Sequence, residues 1–220
     1  MIQRNYKLAI FDFDGTLVDT RHGIAETVNI TLRQFGFEPA DPEKIYPLIG
    51  LSLPTIFSKL IRQDISEAAL EELVAHYRSV YNTVAPPKAV LIDGMRETLN
   101  RIESTGVTLA LATSKGLRGV TLMLETLRIH SLFDLVISDS CVTNKKPHPE
   151  MIDRILEYCH RQPNETLMIG DTTYDIRMGQ AAGVATCAVT FGVHSAEELR
   201  ATSPTFLVHS SEELLSIFRR

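Results

Sequence analysis

The sequence predicts an α/β protein with a Rossmann-like parallel sheet core and an inserted all-helical cap domain. After Pro86-Pro87, short apolar strands alternate with helical segments, which is typical of a parallel sheet covered by helices on both faces. One apolar strand, residues 7–13, lies far upstream, and residues 21–84 between them show helical periodicity and no convincing strand. We therefore expect a discontinuous core of residues 1–15 and 86–220, interrupted by a helical cap of residues 16–85.

The individual elements follow from hydrophobic spacing and from turn residues. In the first cap helix, Ile24, Val28 and Leu32 lie on one stripe, and Gly36 is a suitable helix end. In the core, continuous apolar runs of four to seven residues indicate buried strands. Helices are predicted at residues 95–104, 120–127, 150–160, 174–182 and 211–218, and strands at residues 107–113, 135–138, 166–171, 185–190 and 206–208.

Composition excludes several classes of protein. The chain has 220 residues, 44% of them hydrophobic, and a formal net charge of -5, so no broad basic surface for nucleic acid is expected. No apolar run approaches the roughly 20 residues that span a bilayer, and the first residues lack the pattern of a signal peptide. We expect a cytoplasmic protein with no membrane partner. The widely spaced Cys141, Cys159 and Cys187 form neither a disulfide framework nor a zinc pattern.

The first chemical motif is Asp12-Phe13-Asp14-Gly15-Thr16, at the end of the first strand. Strand alternation puts Asp12 and Asp14 on the same side if the extended geometry persists. Carboxylates there are costly unless they are paired, hydrogen-bonded or bound to a metal, and oxygen ligands suit Mg²⁺. Gly15 allows a sharp turn that brings backbone N–H groups near an anion. An acidic turn with a helix cap would explain Asp14 but not Asp12, which lies within the apolar run.

A second acidic pair follows the strand that ends near Gly170. Asp171 comes directly after the apolar run, and Asp175 lies four residues further on. If a helix begins near Thr172, Asp175 points back toward the strand ends. Asp171 is then a candidate metal ligand, and Asp175 is a candidate to support that ligand from the outer shell or to reach the metal through a water. The alternative is that both acids only favour a helix dipole.

Two weaker motifs follow other strands. Thr113, Ser114 and Lys115 offer hydroxyls and a backbone N–H for phosphate oxygens, although Thr-Ser is more often a helix cap. Lys145 and Lys146 precede a proline, and a lysine there can neutralise phosphate and carboxylates. Ligands bind at the carboxyl edge of an open parallel sheet, so we expect all four motifs to converge there.

These segments, DFDGTLVDT, TSK, KKPHPE and GDTTYDIRMGQAAG, resemble the four signature motifs of the haloacid dehalogenase-like hydrolases. The resemblance covers essentially the whole chain, including a cap between the first and second motifs. Within that superfamily the chain is most similar to phosphoglycolate phosphatase-type members. The first and fourth motifs are highly specific, whereas the second and third are specific only in order and context.

The resemblance implies a Mg²⁺-dependent phosphatase acting on a small phosphorylated metabolite. By this resemblance, Asp12 matches the nucleophile. Asp14 matches the general acid and base, and its backbone carbonyl is expected to contact the metal. Asp171 matches the acidic metal ligand, and Asp175 matches its acidic partner. It also implies that Thr113 and Lys146 bind phosphate, together with Gly15, Ser114 and Lys115. The residue before the key lysine is often glycine in the family, and Lys145 stands there instead, so which lysine is used is blurred. We assign Lys146 to the site.

Other functions remain open at this point. A dehalogenase would not need Asp14, and a phosphonate-cleaving enzyme would need a cap lysine, for which only Lys44 and Lys59 are available. A phosphomutase keeps both aspartates and is not excluded, and a non-catalytic binding or regulatory member would be expected to have lost some site residues.

The sequence marks no residue that identifies the substrate. Phosphoglycolate, another organophosphate, pyrophosphate and a nucleoside monophosphate all fit. Lys59, Arg62 and Lys115 are candidate contacts for an anionic leaving group, and residues 50–52 are a candidate loop over the site. His22, His76 and Tyr77 are interpreted as packing or surface residues.

Overall fold

The computed structural model describes residues 6–61 and 63–218. Its core is a six-stranded parallel sheet with the strand order β5-β4-β1-β6-β7-β8, and two further short strands pair with each other. The strands are β1 (Leu8–Phe11), β2 (Val18–Asp19), β3 (Val90–Leu91), β4 (Thr108–Thr113), β5 (Leu135–Ser138), β6 (Thr166–Gly170), β7 (Ala185–Val189) and β8 (Phe206–Val208). This confirms the predicted Rossmann-like sheet, whose first strand lies at its centre.

The helices divide into a group inserted after β2 and a group that covers the sheet. The inserted group is α1 (Arg21–Gln34), α2 (Pro42–Ile45), α3 (Leu53–Leu60) and α4 (Glu67–Val84). The covering group is α5 (Met95–Glu103), α6 (Leu117–Thr126), α7 (Glu150–Cys159), α8 (Thr173–Ala181), α9 (Ala196–Ala201) and α10 (Ser211–Ser216). The inserted helices pack on one another around Phe57, which is fully buried and makes an edge contact with the Tyr77 ring.

Strand β1 shows why the sheet needs helices on both faces. All four of its residues are fully buried. Leu8 and Ile10 belong to the apolar cluster with α7, whereas Ala9 and Phe11 belong to the larger cluster with α5 and α6. Alternate residues of a strand point to opposite faces, so a strand apolar at every position is stable only between two helical layers.

Several details differ from the sequence predictions. Strands β2 and β3 were not predicted; they pair antiparallel at the junction between core and inserted helices. Helix α9 was also missed, because its six residues are too short to show a helical period. Helix α6 begins at Leu117 rather than at residue 120. No helix in the described part of the chain is both long and apolar enough to cross a membrane.

Candidate active site at the carboxyl edge of the sheet

Asp12 stands at the centre of the site, directly after β1. Its backbone N–H donates to the Ile169 carbonyl on β6, and the residue is 2% exposed. Oδ1 accepts a hydrogen bond from Lys146 Nζ at 2.6 Å, but Oδ2 is buried and has no hydrogen-bond partner. Burial raises the pKa of Asp12 to about 7, although the ammonium of Lys146 acts in the opposite direction.

Lys146 joins two buried carboxylates. Its Nζ donates to Asp12 Oδ1 and, at 2.7 Å, to Asp175 Oδ1, and its side chain is almost completely buried. Burial alone would lower the pKa of Lys146, but the two carboxylates raise it above its usual value. Lys145 points elsewhere and donates to the backbone carbonyls of Asp139 and Val142. The geometry therefore distinguishes the two adjacent lysines, and it is Lys146 that reaches the site.

Asp171 follows β6 and is fully buried. Its Oδ1 accepts from Thr16 Oγ1 at 2.9 Å, and its Oδ2 accepts from the Val193 N–H at 2.8 Å. Burial holds the pKa of Asp171 well above its usual range. A Cβ on Gly15, whose φ is +82°, or on Gly192 would come within 2.2 Å of Asp171 Oδ2. Both positions therefore require glycine for the carboxylate to keep its place.

Asp175 serves the local structure as well as the site. Its Oδ2 accepts from the Thr172 N–H at 3.0 Å and from Thr172 Oγ1 at 2.6 Å, while Thr172 Oγ1 in turn caps the start of α8. This reciprocal arrangement fixes the carboxylate at the helix start. Its other oxygen holds Lys146, so Asp175 positions the lysine.

Asp14 faces the cap. Its Oδ1 accepts from Thr20 Oγ1 at 2.6 Å and pairs with Lys115 Nζ at 3.0 Å. Lys115 Nζ also donates to Tyr81 Oη on α4 at 2.6 Å. Asp14 is thus tied both to the start of the inserted helices and, through Lys115, to the end of them.

The second motif divides its contacts between core and cap. Thr113, the buried last residue of β4, accepts a hydrogen bond from the Lys115 N–H at 3.1 Å. The Ser114 hydroxyl donates instead to the Gly50 carbonyl at 2.7 Å. A Cβ on Gly50 would lie 3.0 Å from Thr172 Cγ2. Residues 50–52 therefore lie against the site edge, in the place expected for a loop over it.

Three carboxylates in this cluster are suited to a cation. Asp12, Asp171 and Asp175 each offer an oxygen within 4.8 Å of the others. Carboxylate oxygens are the ligands that Mg²⁺ prefers, and Asp12 Oδ2 has no other partner among the described residues. The residues present therefore fit a divalent cation between β1 and β6.

A model of the haloacid dehalogenase-like hydrolases matches residues 9–189, most of the chain, including Asp12, Asp14, Lys146, Asp171 and Asp175. The chain belongs to this family. It is 35% identical to "Probable phosphatase IndB" of Dickeya dadantii over 90% of this chain and 86% of the relative. It is 31% identical to "Pyrophosphatase PpaX" of Bacillus mycoides over 96% of both chains.

This haloacid dehalogenase-like hydrolase has the same fold as a solved structure, that of a "predicted phosphoglycolate phosphatase" from Haemophilus somnus. The TM-score between the two is 0.89, and the match covers 98% of this chain and 99% of the solved chain. The sequence identity is 22%, so the likeness concerns the fold alone.

A cavity of about 500 Å³ separates the cap of this hydrolase from its core and reaches Asp14. Apolar side chains from the cap line much of it, and the exposed Arg78 and Arg118 also contribute. Lys115, a candidate contact for an anionic leaving group, also lines it. Lys59 is exposed and does not line the cavity, and Arg62 lies outside the described residues.

Some contributors were not recognised in the sequence. Thr16 and Thr20 lie inside the quoted first motif, and their hydroxyls bind Asp171 and Asp14. Gly192 and Val193 follow β7, and the position of that loop at the same sheet edge was the signal available. Tyr77, interpreted as packing or surface, is buried and also lines the cavity, whereas His76 packs against Phe35 as expected.

Proposed function

We propose that the protein is a Mg²⁺-dependent, phosphoglycolate-phosphatase-like phosphatase that hydrolyses a small phosphorylated metabolite through an aspartyl-phosphate on Asp12. One observation carries the proposal: Asp12 Oδ1 is fixed by Lys146, while Oδ2 is buried and has no hydrogen-bond partner. An unpartnered buried carboxylate oxygen is costly. It is explained if this oxygen serves as the nucleophile toward a phosphoryl group in the working enzyme.

Mg²⁺ would be held by Asp12, the Asp14 backbone carbonyl and Asp171, and Asp175 would act through a water molecule or through these ligands. When bound, Mg²⁺ would offset the repulsion between the phosphate and the carboxylates. The Thr16 hydroxyl and the Val193 N–H fix the orientation of Asp171. Such outer hydrogen bonds set how well a carboxylate ligand is aimed.

In the first step, Asp12 Oδ2 forms a bond to phosphorus while the bond from phosphorus to the substrate alcohol breaks. Lys146 neutralises part of the charge on the phosphoryl oxygens and keeps Asp12 aligned. Thr113 contributes its hydroxyl to these oxygens, and Gly15, Ser114 and Lys115 contribute hydroxyl or backbone N–H groups. The Asp14 carboxyl gives its proton to the departing alkoxide oxygen.

In the second step, Asp14 takes a proton from a water molecule. The water oxygen bonds to phosphorus, the bond to Asp12 breaks, and phosphate leaves with the carboxylate restored. The contacts described for Asp14 are both at Oδ1, from Thr20 and Lys115, which leaves Oδ2 for the reacting groups. The cap, placed over Asp14, limits the access of bulk water.

The relatives named phosphatase and pyrophosphatase support hydrolysis of a phosphorus–oxygen bond. We also propose that the cap comprises residues 16–85. Strands β2 and β3 flank the inserted helices in the chain and pair with each other, which places the junction between cap and core near these residues. The phosphomutase alternative predicts that a sugar phosphate isomerises without release of free phosphate, which phosphorus NMR distinguishes.

The decisive experiment compares wild-type protein with Asp12→Asn in Mg²⁺. We expect phosphate release from an aryl phosphate by the wild type and essentially none by Asp12→Asn, because the amide is a poor nucleophile. Rapid acid quenching followed by peptide mass spectrometry should find one phosphoryl group on Asp12.

Asp14→Asn provides the matched comparison. It retains the nucleophile but lacks the proton donor and base, so we expect slow turnover of good leaving groups and accumulation of phosphorylated Asp12. Substantial turnover by purified Asp12→Asn, or a phosphoryl group on a different residue, would refute the mechanism.

A further inference from the structure

The cavity between cap and core is large for the substrates that the family resemblance suggests. Its volume of about 500 Å³ equals roughly 17 water molecules at about 30 Å³ each. Because the cavity reaches Asp14, which faces the leaving oxygen in the proposed mechanism, it is the space for the alcohol part of the substrate. A glycolate or phosphate leaving group would fill only a small part of it.

The walls of the cavity are largely apolar. Ile49, Leu51, Leu53 and Ile56 line it from the cap. Leu117, at the start of α6, is one of three large hydrophobic residues described as exposed, and it also lines this cavity. Apolar walls around a few polar groups are typical of pockets for organic ligands, and burying an apolar group against them is favourable, whereas burying an anion costs hydration.

Two stacked tyrosines form an aromatic wall. Tyr77 and Tyr81 are both buried, with ring centroids 5.5 Å apart and an interplanar angle of 27°. Burial raises the pKa of both phenols well above the usual value, so they are neutral at physiological pH. Both residues line the cavity, and Lys115 Nζ lies over the Tyr81 ring, 4.2 Å from its centroid.

The buried cation beside this wall is already paired. Lys115 Nζ lies 3.0 Å from Asp14 Oδ1 and 2.6 Å from Tyr81 Oη, so two protein oxygens already occupy its donor positions on this side. The other lining cations, Arg78 and Arg118, are exposed to solvent. The inner cavity therefore does not call for a second anion on the substrate.

We propose that the natural substrate is a phosphomonoester whose alcohol carries a ring-sized, largely apolar group, which packs against Tyr77, Tyr81 and the cap aliphatic residues. The inference rests on the proposed phosphatase function and specifies its substrate class. It predicts discrimination in favour of such esters over phosphoglycolate and pyrophosphate.

The test is a comparison of 2-phenylethyl phosphate with ethyl phosphate, which share a primary alkoxide leaving group. We expect kcat/KM for phosphate release to be at least about 10-fold higher for 2-phenylethyl phosphate. A single methylene group in an apolar pocket already discriminates by roughly 10- to 200-fold, and a phenyl group buries more apolar surface than a methylene. Phosphoglycolate and pyrophosphate should be poorer substrates than 2-phenylethyl phosphate.

Ala75→Phe locates the effect. Ala75 lines the cavity from an exposed position of α4, so a phenyl group there fills space without disrupting a buried contact. We expect a loss of at least about 10-fold in kcat/KM for 2-phenylethyl phosphate and less than about 3-fold for ethyl phosphate. Ala68→Phe, an exposed position of the same helix that does not line the cavity, is the matched control and should change neither.

The outcomes separate this inference from the function on which it rests. If ethyl phosphate or phosphoglycolate is hydrolysed as well as 2-phenylethyl phosphate, the substrate class is wrong and the phosphatase proposal stands. Equal effects of Ala75→Phe and Ala68→Phe also overturn it. If no phosphate ester is hydrolysed with Mg²⁺, both proposals fail.

Discussion

The carboxylate cluster at the sheet edge and the cavity under the cap are adjacent but are built in opposite ways. In the cluster, Asp171 and Asp175 use both side-chain oxygens in hydrogen bonds, and Lys146 is fixed between two carboxylates. In the cavity, which has a volume of about 500 Å³, the lining is mainly apolar. Preorganised charges suit a fixed reaction, whereas apolar walls can be altered in shape without changing that reaction.

This difference separates the residues that should determine the reaction from those that should determine the substrate. A substitution in the cluster leaves a buried charge without its partner and should affect both stability and chemistry. A substitution on the cavity wall should change which alcohol is accepted. The following predictions challenge this division, beginning with the largest expected effect.

Lys146→Met should be the most damaging of these changes. It leaves Asp12 and Asp175 buried without their cation, which we expect to cost about 3–5 kcal/mol in the free energy of unfolding without metal. Loss of its charge at the phosphoryl group should lower kcat by roughly 10²- to 10³-fold. Denaturant unfolding and steady-state kinetics measure the two effects.

Lys145→Met is the matched control, since it changes the neighbouring lysine in the same way. Lys145 donates only to backbone carbonyls in the contacts described, so kcat should change little. A larger loss of kcat in Lys145→Met than in Lys146→Met would reverse the assignment of the two lysines.

Stability should depend on pH and Mg²⁺ together. The folded-state pKa of Asp12 is raised to about 7, so the stabilisation from protonated Asp12 is complete below the unfolded value near 3.9 and is lost as pH rises through about 7. Protons and Mg²⁺ compete for this carboxylate. At 100 times its dissociation constant, Mg²⁺ should add about 2.7 kcal/mol, raising Tm by roughly 5–10 °C at pH 8.

At pH 5 the same Mg²⁺ concentration should raise Tm much less, because Asp12, whose pKa is about 7, is then largely protonated. Differential scanning calorimetry with Mg²⁺ or with chelator measures both shifts. Asp12→Asn should lose much of the pH dependence. Equal Tm shifts at pH 5 and pH 8 would contradict the role of these carboxylates.

Ser114→Ala should have the smallest effect. The hydroxyl donates to the Gly50 carbonyl and so links core to cap; its loss should cost about 0.5–1.5 kcal/mol. If Ser114 binds phosphate through its backbone N–H, kcat/KM should fall only a few-fold. Thr113→Ala is the comparison, since Thr113 is buried at the end of β4 and should lose more. An equally large loss in Ser114→Ala would mean that its hydroxyl binds phosphate.

Much of the architecture could be predicted because its determinants are local in the chain. The apolar runs of β5 and β8 were located to the residue, and the inserted helices were recognised by their period. Asp12, Asp14 and Asp171 were candidates because they follow apolar strands, where charges need an explanation, and Asp175 was a candidate because it lies in the helix directly after Asp171.

Contacts between distant segments were decided only by the tertiary structure. The adjacent Lys145 and Lys146 are chemically identical, and only the path of the loop after β5 directs one of them to Asp12. Gly192 is required because a loop after β7 passes close to Asp171. The two-residue strands β2 and β3 are too short to carry a periodic signal.

The sequence by itself indicated the family, through the four motifs that resemble those of the haloacid dehalogenase-like hydrolases, and it marked Asp12 as a charge that needs compensation because it lies within an apolar strand. The tertiary structure alone decided the size of the cavity and the pairing of each charge. Both arise from packing between inserted helices and core, which depends on distances between residues far apart in the chain.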